Sequence, residues 1–437
     1  MIVSFKDIAT TMSMINDIVA SNKNSLMVMF DMSSDGLVIN FTDGTSDFTR
    51  KIDVTYEEGD VREQVGFDLR RLKSLIDACA PTSNRIITDE ITFIFESDKI
   101  CKVRAEKKIL IQNGESDEAK VASVVDQAIN YDKLADNKGM KAALIKRPNY
   151  AGLLFNSYDE EPEYDEWEVD YLRDTLSRLT AEQGKVCYIA PKNKCGFVVN
   201  TSSTVVIALK NEINLRIIAT TAVTKMITSL LSKMGVDTIK VFRITNDIIS
   251  FCDMDCSCAF SIKVLGPDPT HLHNLNACLT RNFDTHLTNF NNDVLYSCVH
   301  GATVASDSDK IEIAFDDSDE GFQMKMRALN TVKSIDNKYD VNADFVLNSE
   351  ETKGLKINAP IDLIDKVLNG VVTQYVAFDV SIGAAGDRMV RIGEIDLEKR
   401  AEVAQANGIE GSWSEEQNIE LRKNILNCCT YFRVAAD

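Results

Sequence analysis

The chain has 437 residues, of which 44% are hydrophobic and 26% are charged, and its formal net charge is −19. This composition is typical of a globular protein, and no apolar run approaches the ~20 residues that a membrane-spanning helix requires. The chain is too long for one hydrophobic core, so we expect about two to four domains. Its N-terminus lacks the basic, apolar and cleavage-site order of a secretory signal, which predicts a cytoplasmic protein without membrane attachment.

The first 60 residues predict a strand, a helix and three further strands. Apolar residues recur at helical spacing over residues 8–20. Polar and apolar residues then alternate over residues 26–32, 36–41 and 49–56, as they do in half-buried antiparallel strands.

The segment that starts at residue 67 repeats this plan. Apolar residues at spacings of three and four share one face of a predicted helix: Leu69, Leu72, Leu75, Ile76 and Cys79. Pro81 ends the helix because proline has no amide proton to donate. Strand-like runs follow at residues 91–95 and 100–103. We therefore predict a first, internally doubled domain over residues 1–112.

Residues 113–166 interrupt the pattern and are predicted to be a linker or insertion with a helix over residues 118–134. A second doubled domain is predicted over residues 167–265. Its first half has a helix over residues 167–179, and its second half has a helix that ends at Gly235, a residue suited to a helix C-terminus. Three strand-like runs follow each of these helices.

The third domain is predicted over residues 266–437, after the boundary Gly266-Pro267-Asp268-Pro269. A helix is expected over residues 272–283, and a strand over residues 294–300. Residues 330–344 read as an irregular polar region.

The second half of this domain begins a helix at Pro360, which suits a first helical position, and ends it at Gly370. Strands are expected at residues 375–382 and 389–395. A charged, helical insertion over residues 396–423 precedes a last strand. The predicted fold class is thus α+β, with three domains of two strand-helix-strands repeats each and helices on one face of antiparallel sheets.

The eleven cysteines lie mostly inside apolar runs, which favours reduced core residues over disulfides in a chain with no export signal. Cys252, Cys256 and Cys258 superficially suggest a metal site beside Asp253. No fourth ligand lies nearby in the sequence, so we expect no metal.

No motif for catalysis stands out. The chain has no Gly-x-x-x-x-Gly-Lys loop and no His-Glu-x-x-His pair. Acidic pairs such as Asp307 and Asp309 lie in turns, where carboxylates are usually solvated. We therefore expect neither enzymatic activity nor a cofactor.

The net charge alone argues against nucleic acid, but the acidic residues are concentrated in segments such as residues 159–170 and 307–320. The predicted helices are locally basic or nearly neutral. This distribution is compatible with loose, sequence-independent contacts to phosphates, and equally with a protein that never contacts DNA.

The six-helix, three-domain organisation resembles the DNA polymerase sliding clamp family. The similarity covers the whole chain and includes the L-x-x-L-K-x-L-I helix from Leu69 to Ile76 and its following hairpin. It implies a non-enzymatic processivity factor that forms a head-to-tail homodimer ring around double-stranded DNA. It also implies a DNA polymerase and a clamp loader as partners. The divergent repeats and insertions suggest a viral, phage-encoded member, which would work in the host cytoplasm.

The resemblance also implies that basic residues of the helices face the DNA. The residues in matching positions are Lys6, Lys23, Arg70, Arg71, Lys73, Arg173, Arg178, Arg216, Lys225, Lys233, Arg281 and Lys366. Any one of them could equally be an ordinary solvated helix residue. The helix around Lys366 also carries Asp362 and Asp365, so it contributes little attraction.

Members of the family bind short partner peptides in an apolar cleft beside the C-terminal strand. The residues in matching positions are Val264, Leu265, Tyr431, Phe432 and Val434. The tail at residues 435–437 lacks the apolar-proline ending that is common in bacterial members.

A non-enzymatic viral structural or assembly protein is the alternative interpretation. Doubled antiparallel domains and acidic loops suit that role as well. Size separates the two, because a closed ring requires a dimer near twice the chain mass of 48.7 kDa, whereas a shell component forms large assemblies.

Overall fold

A computed structural model describes most of the chain. The described residues are 1–19, 26–32, 36–57, 63–113, 116–134, 136, 164–179, 186–190, 195–199, 203–208, 217–245, 247–265, 269–284, 286–330, 335–347, 349–384 and 386–434. The chain divides into two compact units. The first comprises residues 1–177 and 222–266, and the second comprises residues 178–221 and 267–437.

The described residues contain ten helices. These are α1 (Phe5–Val19), α2 (Leu69–Cys79), α3 (Val169–Leu179), α4 (Thr221–Met234), α5 (Pro269–Leu279), α6 (Asn292–Ala305), α7 (Ser349–Thr352), α8 (Ile361–Asn369), α9 (Leu397–Ala406) and α10 (Glu415–Ile425).

The strands outnumber the helices, and every pairing between named strands is antiparallel. In the first half of the described chain they are β1 (Ile2–Ser4), β2 (Met27–Asp31), β3 (Leu37–Thr42), β4 (Ser46–Ile52), β5 (Val54–Thr55), β6 (Gln64–Asp68), β7 (Ile86–Ile87), β8 (Glu90–Ser97), β9 (Ile100–Asn113), β10 (Ser116–Lys133), β11 (Tyr164–Glu168), β12 (Val186–Ala190), β13 (Cys195–Val199) and β14 (Ser203–Ala208). The others are β15 (Ile217–Thr220), β16 (Thr238–Thr245), β17 (Ile248–Asp253), β18 (Cys258–Lys263), β19 (Leu287–Asn291), β20 (Lys310–Ser318), β21 (Gly321–Asn330), β22 (Ile335–Asn342), β23 (Phe345–Leu347), β24 (Lys356–Pro360), β25 (Tyr375–Ile382), β26 (Arg388–Ile395) and β27 (Leu426–Val434).

Six repeats of one plan account for most of these elements, which confirms the predicted α+β class. In each repeat a lead strand runs directly into a helix, and three further strands follow. The repeats are β1-α1-β2-β3-β4, β6-α2-β8-β9-β10, β11-α3-β12-β13-β14, β15-α4-β16-β17-β18, β19-α6-β20-β21-β22 and β24-α8-β25-β26-β27.

Consecutive repeats exchange their lead strands. The lead strand β6 pairs with β2 of the preceding repeat, while β1 pairs with β8. The same exchange joins β15 to β12 and β11 to β16. It also joins β24 to β20 and β19 to β25. Each repeat therefore completes the sheet of its neighbour, which is why two consecutive repeats form one structural pair.

The last strand of each repeat, which we call the third strand, links one pair of repeats to the next. Within the first unit the third strands β18 and β4 pair from Cys258↔Arg50 to Ile262↔Ser46. Within the second unit the third strands β14 and β27 pair from Ser203↔Phe432 to Ile207↔Cys428. Continuous sheets therefore join residues that are more than 200 positions apart in sequence.

A side-chain hydrogen bond sets where helix α2 begins. The side chain of Asp68 accepts a hydrogen bond from the amide of Arg71 at 3.0 Å, which caps the N-terminus of α2. The apolar face then buries Leu69, Leu72 and Ile76. Gly235, just past α4, has a φ of +70°, a conformation that other residues adopt at a cost.

Three phenylalanines form the centre of the first unit's core. The ring of Phe30 on β2 lies edge-on to Phe67 at 5.0 Å and to Phe93 at 5.6 Å between ring centroids. All three side chains are fully buried. They belong to three different strands, so they fix how the two repeats pack.

The predicted helix over residues 118–134 is wrong, because this segment is the long strand β10. Apolar residues at 121, 124, 125 and 129 match helical spacing. Three of these four positions are valine, however, and β9 supplies a complete antiparallel partner from Asn113↔Ser116 to Ile100↔Asn130. Tertiary pairing therefore overrides the local spacing. The predicted linker of residues 113–166 thus contains β10 and the start of β11.

The predicted strand over residues 294–300 is wrong as well, because it lies inside α6. The side chain of Asn291 caps this helix through the amide of Val294. Leu295, Val299 and Ala302 are buried at helical spacing. A short, largely apolar run of this kind fits either a strand or a buried helix, and periodicity alone does not decide between them.

Two smaller differences concern the third pair of repeats. The region expected to be irregular, residues 330–344, contains strand β22, which pairs with β21. Pro360 precedes α8 as its N-cap instead of occupying its first turn. The helix expected over residues 272–283 is α5, which ends at Leu279 and is not a repeat helix, because the fifth repeat uses α6. The other predicted helices and the insertion helices α9 and α10 are confirmed. The three-domain boundaries proposed from the sequence stay a prediction.

The cysteine motif is explained by a turn. Asp253 accepts hydrogen bonds from the amides of Ser257 at 2.7 Å and Cys258 at 3.1 Å, and Cys256 has a φ of +55°. The carboxylate therefore stabilises the turn between β17 and β18. The nine cysteines whose side chains are described have free thiols. No helix among the described residues is long and apolar enough to span a bilayer.

We expect Phe30→Ala to lower the free energy of unfolding by about 3–5 kcal/mol, because it leaves a cavity among three buried rings. Urea denaturation followed by circular dichroism measures this change in the unfolding transition of the first unit. The control is Ile94→Ala on β8, whose side chain is 39% exposed. Equal stability losses in the two variants would contradict a core centred on Phe30.

Candidate functional site

The six repeat helices, α1, α2, α3, α4, α6 and α8, each follow a lead strand and bury one apolar face. In α1 this face includes Ile8 and Ile15, and in α8 it includes Ile364 and Leu368. Their opposite faces are exposed and mostly polar, although α6 also exposes Val294 and Val304. These exposed faces form the first candidate functional surface.

The charge of the repeat helices differs from that of the rest of the chain. Together the six helices carry nine lysine and arginine residues and eight aspartates. The whole chain carries 48 basic and 67 acidic residues. The helices are therefore nearly neutral in a strongly acidic protein, and this surface repels a polyanion much less than the rest of the chain does.

Five of the predicted DNA-facing residues are exposed on these helices. They are Lys6 on α1, Arg70 and Arg71 on α2, Lys225 on α4 and Lys366 on α8. α2 carries the highest local positive charge, because it contains Arg70, Arg71 and Lys73 and a single acidic residue, Asp77.

Three other predicted residues form ion pairs. Lys73 contacts Asp77 at 2.6 Å, Arg173 contacts Asp170 at 3.0 Å, and Lys233 contacts Asp17 at 2.5 Å. The last pair joins α4 to α1, and Ser229 donates a hydrogen bond to the same carboxylate. Solvent-accessible pairs such as the first two contribute about 0–1 kcal/mol each, so Lys73 and Arg173 remain exchangeable. The pair between Lys233 and Asp17 is part-buried.

The remaining predicted residues are described to different extents. Lys23 and Arg216 lie outside the described residues, and Arg178 is described only as a backbone position of α3. Arg281 follows α5, which is not a repeat helix. Its guanidinium donates to Asp387 at 2.8 Å and to the hydroxyl of Ser381 at 3.0 Å. The structure therefore gives Arg281 a role in holding the turn between β25 and β26.

A cavity of about 380 Å³ in the second unit forms the second candidate site. Its walls come from the end of α5, strands β14, β26 and β27, and the insertion helix α10. The apolar part of the lining consists of Val206, Leu279, Phe283, Ile419, Leu426 and Tyr431. The charged part consists of Arg281, Arg391, Glu420 and Lys423. A concave apolar wall with a few charged groups is the usual form of a ligand site.

Strand alternation separates the predicted peptide-binding residues of β27. Tyr431 lines the cavity, as expected. Phe432 and Val434 point to the opposite face of the strand, into the core cluster around Phe378 and Ile392. Val264 is buried and Leu265 is 44% exposed, and both belong to the first unit.

A buried cluster of three charged groups lies behind the cavity wall. Asp379 on β25 accepts hydrogen bonds from two arginines, Arg391 on β26 and Arg422 on α10. The Nη2 atoms of these arginines lie 2.7 Å and 2.6 Å from its oxygens. All three residues are at least nine-tenths buried. The guanidinium of Arg391 also stacks on Phe283 at 4.4 Å.

Two thiols and one phenol near Arg391 remain neutral at physiological pH. Burial raises the pKa of the Cys429 thiol to about 11 and raises the pKa of the Cys278 thiol as well. Burial also raises the pKa of Tyr431 well above its usual range. These groups therefore do not offset the positive charge of Arg391.

The charged cluster was not predicted from the sequence, although the sequence contains an indication of it. Asp379 lies in the mostly apolar strand β25, and Arg391 lies in β26 directly opposite it in the register of the hairpin. Opposite charges in the middle of two consecutive strands indicate an ion pair, and the charge of Asp379 within an apolar run indicates that the pair is buried. Arg422 could not be found this way, because only the packing of α10 brings it to Asp379.

With this geometry in view, comparison with solved structures identifies a class of fold, the bacterial DNA polymerase sliding clamp. The DNA polymerase III subunit beta of Pseudomonas aeruginosa matches with a TM-score of 0.64 at 12% identity, with 100% of both chains covered. The beta chain of Streptococcus pneumoniae matches with 0.64 at 10% identity, covering 100% of this chain and 99% of that one. The sliding clamp of Bacillus subtilis matches with 0.63 at 8% identity, covering 100% and 98%.

The chain therefore has the sliding-clamp fold over its full described length, and the resemblance inferred from the sequence is confirmed at the level of fold. No protein-family model matches the sequence, and no curated protein matches it.

We expect Asp379→Asn to destabilise the second unit by about 3–5 kcal/mol, because it leaves two buried guanidinium groups without their counter-charge. Asp387→Asn removes a half-exposed partner of Arg281 and should cost less than about 1 kcal/mol. Thermal unfolding followed by calorimetry compares the two variants. A similar loss in both would show that the buried cluster is not a principal support of this unit.

Proposed function

We propose that the chain is a sliding clamp, a non-enzymatic processivity factor that encircles double-stranded DNA and tethers a DNA polymerase. The observation that carries the proposal is the pairing of third strands within the sliding-clamp fold. Four of the six third strands pair with one another, as β4 with β18 and as β14 with β27. Among the described strands, β22 has an unpaired outer edge, and β10 has one along most of its length.

These two edges supply a means of ring closure. If β10 of one chain pairs with β22 of a second chain, the same pairing recurs at the other junction because the dimer is symmetric. The resulting head-to-tail homodimer has every third strand paired. An unpaired strand edge otherwise promotes aggregation, so a defined partner is the expected state.

The side chains on β10 suit such a junction. Val121 and Val124 are 54% and 46% exposed, so β10 presents two apolar side chains to solvent in the part that has an unpaired edge. Lys338 and Asp340 on β22 are exposed and would lie at the other side of the junction. Burial of the two valines would add hydrophobic stabilisation to the main-chain hydrogen bonds.

The helix charges suit a ring that slides. A ring holds DNA by enclosing it, so strong phosphate contacts are unnecessary and would slow movement. The nearly neutral repeat helices, with Arg70 and Arg71 as the main exposed cations, would make weak, exchangeable contacts that carry no sequence information. Lys6, Lys225 and Lys366 would add to them.

The partners follow from the same proposal. The cavity in the second unit is the site where a peptide of a polymerase or another replication protein would bind. A clamp loader would open the ring, and the protein would act in the compartment that holds the DNA, the cytoplasm of a bacterial cell. No feature of the described fold favours the alternative of a viral assembly protein.

We expect the wild-type protein to elute as a dimer of about twice 48.7 kDa and Val121→Glu/Val124→Glu to elute as a monomer. The two carboxylates would be buried at the junction and would face the acidic residues of β22. Size-exclusion chromatography with light scattering measures the mass. Val304→Glu/Val372→Glu is the matched control, since these valines are 75% and 72% exposed elsewhere. A monomeric wild type, or a dimeric β10 variant, would refute closure through β10.

We expect the protein, once loaded by its cognate loader, to remain on circular DNA and to be lost from the same DNA after linearisation. Arg70→Glu/Arg71→Glu should reduce the loaded amount by about 3- to 10-fold, because it reverses the charge of α2. Arg85→Glu/Lys99→Glu makes the same charge change at exposed positions off the repeat helices and should load normally. Equal retention on circular and linear DNA would exclude an enclosing ring.

A further inference from the structure

Strand β23 lies at one end of the large sheet of the second unit. Among the described strands it is terminal, and three strands, β26, β25 and β19, separate it from β27. It pairs with β19 from Leu287↔Leu347 to Asn289↔Phe345. The outer edge of a terminal strand offers main-chain hydrogen-bonding groups to another extended segment, so such an edge is normally covered or joined by a partner.

A groove of about 520 Å³ is lined by β23 on one side and by the insertion helix α10 and the loop before it on the other. We call it the β23 groove. The apolar part of its described lining includes Phe345, Leu347 and Trp413. All three side chains pack on the same side of the sheet, in or against one core cluster. The described linings of this groove and of the cavity beside β27 have no residue in common, so the two sites are distinct.

Contacts within the insertion hold Trp413 in place. The guanidinium of Arg400 on α9 lies over its indole ring, 5.1 Å from the ring centre. The side-chain amide of Asn418 donates to the carbonyl of Trp413 at 3.2 Å and to that of Ser414 at 3.0 Å. Ser414 and Gln417 form a capping box that fixes the start of α10. A tryptophan that is already ordered loses little entropy on binding, which suits it to anchor a partner.

The charged part of the groove is acidic. Glu350 and Glu351 of α7 and Glu415 of α10 belong to the lining, and no basic residue belongs to its described part. All three glutamates are exposed. Lys353, which follows α7 directly, contacts Asp317 at 2.7 Å instead. The three carboxylates therefore attract a cationic segment and repel the phosphates of DNA.

We propose that the β23 groove binds an extended, basic segment of a partner protein, which adds to the outer edge of β23 as a further strand. An aliphatic or aromatic side chain of this segment packs against Phe345 and Trp413. An arginine or lysine two residues away lies on the same face of the added strand and pairs with the glutamates. Main-chain hydrogen bonds supply affinity in this mode of recognition, and the side chains supply specificity.

This inference goes beyond the proposed function, because neither a closed ring nor the cavity beside β27 requires the β23 groove. It also assigns a role to the charged insertion. Without the loop before α10 and the first residues of that helix, the groove would lose Trp413 and Glu415 and would have only the wall formed by β23 and α7. The insertion therefore creates a second docking surface in the same unit.

Binding of a defined peptide to the full-length protein tests the proposal. The probe is the fluorescein-labelled hexapeptide Arg-Thr-Phe-Thr-Arg-Thr, which places two arginines and a phenylalanine on one face of a strand. The comparison peptide has glutamine in place of both arginines. We expect fluorescence anisotropy at about 0.15 M salt, where distant charges are screened, to show at least about tenfold tighter binding of the arginine peptide.

Two variants assign this preference to the groove. Glu350→Lys/Glu415→Lys should weaken binding of the arginine peptide by about tenfold and leave the glutamine peptide nearly unaffected. Trp413→Ala should weaken both peptides by about tenfold, because it removes the apolar anchor. The matched control is Glu398→Lys/Glu402→Lys, which makes the same charge change at exposed positions of α9 outside the described lining and should leave both affinities unchanged. Circular dichroism checks that each variant is folded.

Photo-crosslinking locates the bound peptide. With benzoylphenylalanine in place of phenylalanine, we expect mass spectrometry to find crosslinks within residues 343–347 and 411–418.

The inference would be overturned by equal affinity of the two peptides, or by no detectable binding of the arginine peptide. Equal losses in the groove and control variants would show attraction to the net charge alone and would overturn it too, as would crosslinks confined to the cavity beside β27. Dimer mass and retention on circular DNA depend on β10 and the repeat helices, so the proposed function is tested independently.

Discussion

Main-chain hydrogen bonds between third strands hold each compact unit together. They join β4 to β18 in the first unit and β14 to β27 in the second, across more than 200 residues of sequence. Because these bonds are formed by backbone atoms, they require strand geometry and alternating burial but no particular side chain. This explains how the fold persists at 8–12% identity to solved sliding clamps.

The sequence predicted most elements, because alternation and helical spacing directly reflect burial. It failed where one spacing fits two structures. Valines at 121, 124 and 125 fit a helical stripe, and only the partner strand β9 identifies a strand. The run from Val294 to Val299 fits a strand, and only its packing identifies α6. In both cases long-range contacts decide, and these are absent from local periodicity.

The candidate site, too, could be predicted from the sequence only in part. Tyr431 was named because the family resemblance places it at the peptide cleft, but the same resemblance also named its neighbour Phe432, whose side chain lies in the core on the opposite face of β27. The charged cluster depends on Arg422, a residue of an insertion helix that looks like an ordinary solvated surface helix in sequence. A buried ion pair is costly unless its groups are hydrogen-bonded, and the bonds that Arg391 and Arg422 both donate to Asp379 meet this requirement.

The nearly balanced charge of the repeat helices has a consequence for thermodynamics. A protein that neutralises many phosphates releases many condensed counterions, so its affinity for DNA falls steeply with ionic strength. With nine basic and eight acidic residues on six helices, few counterions would be displaced. In the proposed ring, the residence time on DNA would then depend little on salt. It would be set by how long the strand junction stays closed before the ring opens.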